Sequence, residues 1–200
     1  MPPFRRPRDL AALFAAAGLI CSPGGPPARA EGAADPVRVT QAAMRLFSQG
    51  CIGNLRQEAG LREVVQAAGL RTAPADQATP HLGGRPGTLL VSSDPGLPLA
   101  VIVRPAAAQC EVRAPVTDLS SAESEFRGLI DGLAGPRVMV RRDSEERSSA
   151  GGRPGVTMVF SAGAPPLEEG GARFAMQARQ PVPGGIALSM TASGQPLDAR

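Results

Sequence analysis

The sequence predicts an α+β domain, an antiparallel sheet of about six or seven strands with two or three helices on one face. Two observations carry this. Residues 36–69 place apolar side chains at helical spacing, whereas from residue 88 onward short runs alternate apolar and polar positions between Gly- and Pro-rich turns. Helices segregated from runs of strands fit an antiparallel sheet covered on one face better than alternating parallel units.

The chain opens on a different signal. Arg5, Arg6 and Arg8 precede an apolar run over 10–20, then a Pro/Gly break and Ala28-Arg29-Ala30. A basic start, a short apolar stretch and a small-x-small site read as a secretory signal peptide over 1–30, cleaved between Ala30 and Glu31. The run is too short to cross a bilayer, which needs about 20 apolar residues, and no transmembrane segment is expected in the mature chain. Cys21 as a lipidated cysteine is disfavoured by the bulky Ile20 before it. Arg5-Arg6 as a twin-arginine signal is disfavoured by the Pro7-Arg8-Asp9 that follows. The expected location is periplasmic or secreted.

Export changes the reading of charge. The full chain is +3 with a pI near 9.3. Four of its 21 basic residues and one of its 18 acidic residues lie in 1–30, leaving 17 of each in the mature chain. With no basic block and no Trp or Tyr to stack on bases, nucleic-acid binding is not expected. Removal of Cys21 leaves Cys51 and Cys110, an even count that reads as a disulfide in an oxidising compartment. Closing a loop of that length is worth about 4 kcal/mol in chain-entropy terms.

The elements follow in order. Residues 31–35 are a tether and 36–192 a single domain, with 193–200 a tail. Asp35-Pro36 is an N-cap followed by proline at the first helical position, and Phe47 and Cys51 share a face of the helix that follows. Asn54 with Gln57 resembles a capping box for a second helix bearing Leu61, Val65 and Ala68, ended by Gly69. Residues 71–87, with Pro74, Pro80 and Pro86, read as a loop or poor edge strand.

Strands are expected at 88–92 and 99–104 around the turn Ser93-Asp94-Pro95-Gly96, and at 109–114, where Cys110 and Val112 alternate with Glu111 and Arg113. A third helix is expected from Ser120, with Glu123 completing Ser-x-x-Glu, burying Ala122, Phe126, Ile130 and Leu133 and stopping at Gly135-Pro136. Strands then follow at 138–142, 156–161, 173–179 and 185–191. Their inward sets read Val156-Met158-Phe160, Phe174-Met176-Ala178 and Ile186-Leu188-Met190. The acidic, Gly-rich stretch from Asp143 reads as a hairpin loop and lacks the ligand spacing of a calcium loop.

Gly83-Gly-Arg-Pro-Gly87 recurs as Gly151-Gly-Arg-Pro-Gly155. At the same offset the second helix falls on the third, Leu61 over Leu129 and Val65 over Leu133. Either a helix-plus-strands unit is duplicated, or a Gly/Pro/Arg-rich chain repeats itself by chance. Phe47-x-x-x-Cys51, the Gly-Gly-x-Pro-Gly lead-in to a strand and Cys110-x-Val112 before a helix together resemble a family of small secreted proteobacterial proteins of uncharacterised function, over roughly residues 37–190. The resemblance implies export and one disulfide, and supplies no catalytic residue.

Chemistry-bearing residues are sparse. His81 is the only histidine, no Gly-x-Ser-x-Gly elbow exists, and two cysteines with one histidine do not fill a zinc shell. Met139, Met158, Met176 and Met190 fall one per expected strand. They read as core filler rather than as a copper(I) site. No catalytic, metal or cofactor residues are assigned, and no cofactor is expected. The functional expectation is a non-enzymatic binding or accessory module for a protein or envelope component, acting through an open sheet face or long loops. The alternative is a small secreted hydrolase working with carboxylates.

Overall fold

A computed structural model describes residues 34–55, 57–165, 167 and 171–194. The expected signal segment, its expected Ala30–Glu31 junction and residues 195–200 of the expected tail lie outside them. The architecture is α+β, with an eight-stranded, wholly antiparallel sheet and four α-helices.

Helix α1 (Pro36–Leu46) starts as its sequence dictates, with Asp35 Oδ1 accepting the Val37 N–H at 3.1 Å and Pro36 in the first turn. It continues into a π-helical turn (Phe47–Ile52) that buries both Phe47 and Cys51. Helix α2 (Glu58–Ala67) follows. No side chain caps its start; Asn54 Nδ2 instead donates back to the Gln49 carbonyl at 2.8 Å, so the expected capping box is not formed.

The segment expected as a loop or poor edge strand is more ordered than its prolines suggest. It holds an edge strand, β1 (Leu70–Thr72), and a helix, α3 (Ala75–Leu82), preceded by Pro74 and carrying Pro80 only in its last turns. Strands β2 (Thr88–Ser92), β3 (Ala100–Arg104) and β4 (Gln109–Ala114) complete a meander, with Asp94 Oδ1 accepting the Gly96 N–H in the expected turn.

Helix α4 (Leu119–Asp131) starts one residue before the expected Ser120. Its cap is Asp118, whose Oδ1 accepts the Ser121 N–H, while Glu123 accepts hydrogen bonds from Arg147 and Arg127. It ends before Leu133. Strands β5 (Met139–Ser148), β6 (Gly155–Gly163), β7 (Ala172–Arg179) and β8 (Leu188–Gly194) form the second meander. Two expectations shift here. Residues 143–148 extend β5 instead of looping, and β8 begins at Leu188 and runs two residues into the expected tail. Its inward set is therefore Leu188, Met190 and Ala192, and Ile186 is left 41% exposed.

The sheet order is β1-β2-β3-β4-β8-β7-β6-β5, a palindrome about the β4–β8 pair. Each half begins with a helix and contains four strands, α2 with β1–β4 and α4 with β5–β8, the first half also carrying α3 between β1 and β2. The repeated Gly-Gly pairs play one role in both: Gly83, Gly84, Gly151 and Gly152 all have positive φ, turning the chain into β2 and β6.

One face of the sheet is apolar. Register partners run Leu90–Val101–Val112–Met190–Met176–Met158 in one row and Val103–Cys110–Ala192–Phe174–Phe160 in the next. Helices α1, α2 and α4 cover this face, with Phe126 between Phe47 and Phe160 at ring-centroid distances of 5.9 and 6.0 Å. Cys51 and Cys110 are disulfide-bonded, tying the π-helical turn to β4 with Cα atoms 5.3 Å apart. Inside the core, Thr40 Oγ1 donates to the Pro36 carbonyl and accepts the Asp118 N–H, joining α1 to the start of α4.

Helix α4 is also clipped to the edge strand. Glu123 binds Arg147 and Arg127, and Arg127 reaches Glu145 at 3.1 Å. The Arg147 hydrogen bond holds Glu123 below the usual carboxylate range, and the Arg127 hydrogen bond does the same for Glu145.

Two predictions follow from these ties. Cys51→Ala and Cys110→Ala should each destabilise by about 2–5 kcal/mol. The double variant should cost little more than either single one, since both remove one bond; denaturant unfolding of the three proteins checks this. Because folding depresses the Glu123 and Glu145 pKa values, their contribution is present above the unfolded carboxylate pKa and is lost as pH falls below about 4.3. The Glu123→Gln, Glu145→Gln variant should therefore show a shallower fall in Tm between pH 5 and pH 2 than the parent. Parallel profiles would contradict this.

Candidate functional site

The opposite face of the sheet carries the polar members of each alternation. At the β1 end, α3 covers it, packing Ala78 against Leu89 and Ile102. From β4 to β6 no helix packs on this face among the described residues. It presents Glu111 and Arg113 on β4, Ser189, Thr191 and Ser193 on β8, Arg173, Ala175 and Gln177 on β7, and Thr157, Val159 and Ser161 on β6.

A built cluster sits at its centre. Glu111 is buried, 8% exposed, and its carboxylate is gripped side-on by Arg113, Nε to Oε1 at 2.6 Å and Nη2 to Oε2 at 3.0 Å. Ser189 Oγ donates to the same Oε1 at 2.8 Å. Arg104, 5% exposed, lies with Nη1 3.9 Å from Oε2 and donates to Gln109 Oε1 at 3.3 Å, while its Nε is buried without a hydrogen-bond partner. Burial and then the nearby Arg85 push the Arg104 pKa down from its ordinary value.

The backbone sets this up. Arg104 and Gln109 are register partners closing the β3–β4 hairpin, whose connection passes through Ala108 at φ 43°, a left-handed conformation that a non-glycine residue adopts at a cost. A side chain at Gly87 would meet the Val103 carbonyl at 2.8 Å and Arg104 Cγ at 3.0 Å, so the guanidinium stem needs the glycine beneath it. Two guanidinium groups thus share one carboxylate in a poorly hydrated place, and the local charge is positive.

Arg113 and Ser189 also line a hollow of about 420 Å³ with Gln177, Arg179, Gly184 and Ile186. On the helix-covered face, a groove of about 570 Å³ runs between α2 and β1–β3, with Leu61, Val65, Leu70, Leu90 and Val103 on its floor and Glu58, Arg62, Gln66 and Arg71 at its rim. The equivalent cleft in the second half is bridged by the α4–β5 ion pairs, whereas Glu58 and Arg62 pair within α2 and leave the groove open.

The residues singled out in the sequence divide cleanly. Cys51 and Cys110 are joined, while His81 is exposed near the end of α3. Ser92 Oγ accepts the Asp94 N–H and serves the turn. Met158, Met176 and Met190 are fully buried side by side, and Met158 Sδ accepts from Arg127 Nη2 at 3.6 Å, so a cation at that sulfur would face a guanidinium. Met139 lies 47% exposed. The Glu111 cluster was missed: Glu111 and Arg113 at i, i+2 on a strand signal one shared face, but Arg104 and Ser189 come from other strands. Comparison with protein-family models, curated proteins and solved structures finds no match.

The cluster makes an asymmetric prediction. Glu111→Gln should destabilise by about 3–5 kcal/mol, because it strands buried guanidinium charge. Arg104→Met should be neutral or stabilising, since Arg113 alone neutralises Glu111 and the unpartnered Nε is removed. Equal losses in the two variants, measured by chemical denaturation, would contradict this reading of the charge balance.

Proposed function

We propose that the chain is an exported, non-enzymatic binding module that holds an envelope component on the uncovered face of its sheet, after removal of the leader through Ala30. The observation that carries this is how the buried carboxylate is used. Glu111 spends its oxygens on fixing Arg113 and Ser189, which is a positioning use rather than an acid–base one. Asp143, the other hydrogen-bonded acid on this face, is pushed up by burial, but the Ser161 and Arg141 hydrogen bonds outweigh that and leave its pKa lowered. Both acids face a guanidinium rather than one another, so the carboxylate pair that the hydrolase alternative needs is not made by them. The balanced mature charge and the disulfide also fit work outside the cytosol.

The reading is tested by cosedimentation of the mature protein with proteobacterial peptidoglycan sacculi and outer-membrane vesicles. Ala175→Trp, a bulky change in the middle of the uncovered face, should weaken association at least tenfold without lowering Tm. Gln66→Trp, at the rim of the α2 groove, should leave it unchanged. Wild-type sedimentation of Ala175→Trp would sink the proposal.

A further inference from the structure

We propose that the hollow between Arg113 and Arg179 is an oxyanion site, taking the carboxylate or phosphate group of the ligand that lies on the uncovered face. The inference rests on the binding-module reading and names the chemistry of that surface. Its first support is Arg113. Glu111 engages Nε and one hydrogen of Nη2, which locks the guanidinium plane and leaves three N–H donors for other acceptors. A guanidinium already fixed loses little freedom on meeting an oxyanion, and its fork geometry suits both carboxylate and phosphate.

The second support is the rest of the lining. Arg179 makes no ion pair among the described residues, and Gln177 supplies a carboxamide on the same strand two residues earlier. The one acid in the lining, Glu111, is already committed. Ile186, 41% exposed at the rim, offers apolar contact to the body of a ligand.

The third is the charge left over. Arg104 is nine-tenths buried behind Glu111 with its Nε unpartnered, and it shares that carboxylate with Arg113. An anion at Arg113 would offset positive charge that Glu111, the one acid paired with Arg104 and Arg113 among the described residues, does not fully neutralise.

Titration of the mature, disulfide-bonded protein with inorganic phosphate and with acetate, followed by the arginine Nε–H signals in NMR at constant ionic strength, tests the site. The expected result is saturable shifts at Arg113 and Arg179 with at least one of the two anions and none with chloride, weakened at least tenfold in Arg179→Gln. That variant is exposed and outside the Glu111 cluster, so it folds whether or not Arg113 can be replaced. Stronger phosphate binding points to phosphorylated glycan or lipid headgroups, and stronger acetate binding to peptide or uronic carboxylates. Absence of saturable shifts, or unchanged binding in Arg179→Gln, overturns the site. If the site fails while Ala175→Trp still loses envelope association, the binding face survives without it. If the anion binds and Ala175→Trp sediments normally, the binding-face reading is the one that fails.

Discussion

The bond between Cys51 and Cys110 is the constraint on which the rest of the arrangement depends. Cys110 lies on β4, the strand where the two halves of the sheet meet, and Cys51 lies within the π-helical turn between α1 and α2. One covalent tie therefore references the helical layer to the middle of the sheet. Around it the small side chains Ala114, Ala162, Ala172, Ala178 and Ala192 let the helices approach the strands closely, and Phe47, Phe126 and Phe160 fill the space between. With no Trp or Tyr in the chain, Phe47, Phe126, Phe160 and Phe174 and a methionine row supply the largest side chains of this core.

With three helices on one face and α3 over the β1 end of the other, that other face is left uncovered from β4 to β6 among the described residues. The two faces obey different physics. On the covered face, apolar burial sets which residues are tolerated; on the uncovered face, the alternating positions are constrained only by water and by one another. A buried, fully hydrogen-bonded carboxylate on the solvent side is therefore unexpected on stability grounds, because desolvating an ion pair seldom yields net stability. Its use as a support that fixes an arginine gives it a physical reason to be there. The palindromic sheet adds a second asymmetry. The half ending in β5 is bridged by charged pairs between α4 and the strand, which also guard a ten-residue edge strand against pairing with other chains, while among the described residues no ion pair joins α2 to the three-residue β1.

What the sequence revealed and what it hid follow from the range of the interactions. The Asp35-Pro36 cap, the Ser93–Gly96 turn and the inward sets of β6 and β7 are local or strictly periodic, and they read directly. The disulfide was legible from cysteine count and compartment. Helix α3 was hidden because Pro80 lies inside it and Pro74 directly before it, and an interior proline, which removes an intrahelical N–H, reads as a break. The start of α4 lies one residue from Ser120, but its cap is Asp118, and Glu123, read from the sequence as half of a capping box, binds Arg147, 24 residues away. Residues 143–148 look like a loop by composition, and Ser144–Ser148 are strand by pairing with Gly155–Val159 of β6, a register that their own composition does not announce. The same holds for the candidate site, where Arg104, Glu111 and Ser189 come from three strands and meet only through register.

Native-state hydrogen exchange on the oxidised and the reduced protein tests most directly whether the disulfide is the tie between layer and sheet. The account predicts that reduction speeds exchange of the amides in 36–67 by about a hundredfold more than that of the amides in β6–β8, which keep their own phenylalanine and methionine packing. Acceleration by one common factor across helices and strands would show that the bond stabilises the domain as a whole and does not hold the helical layer in particular.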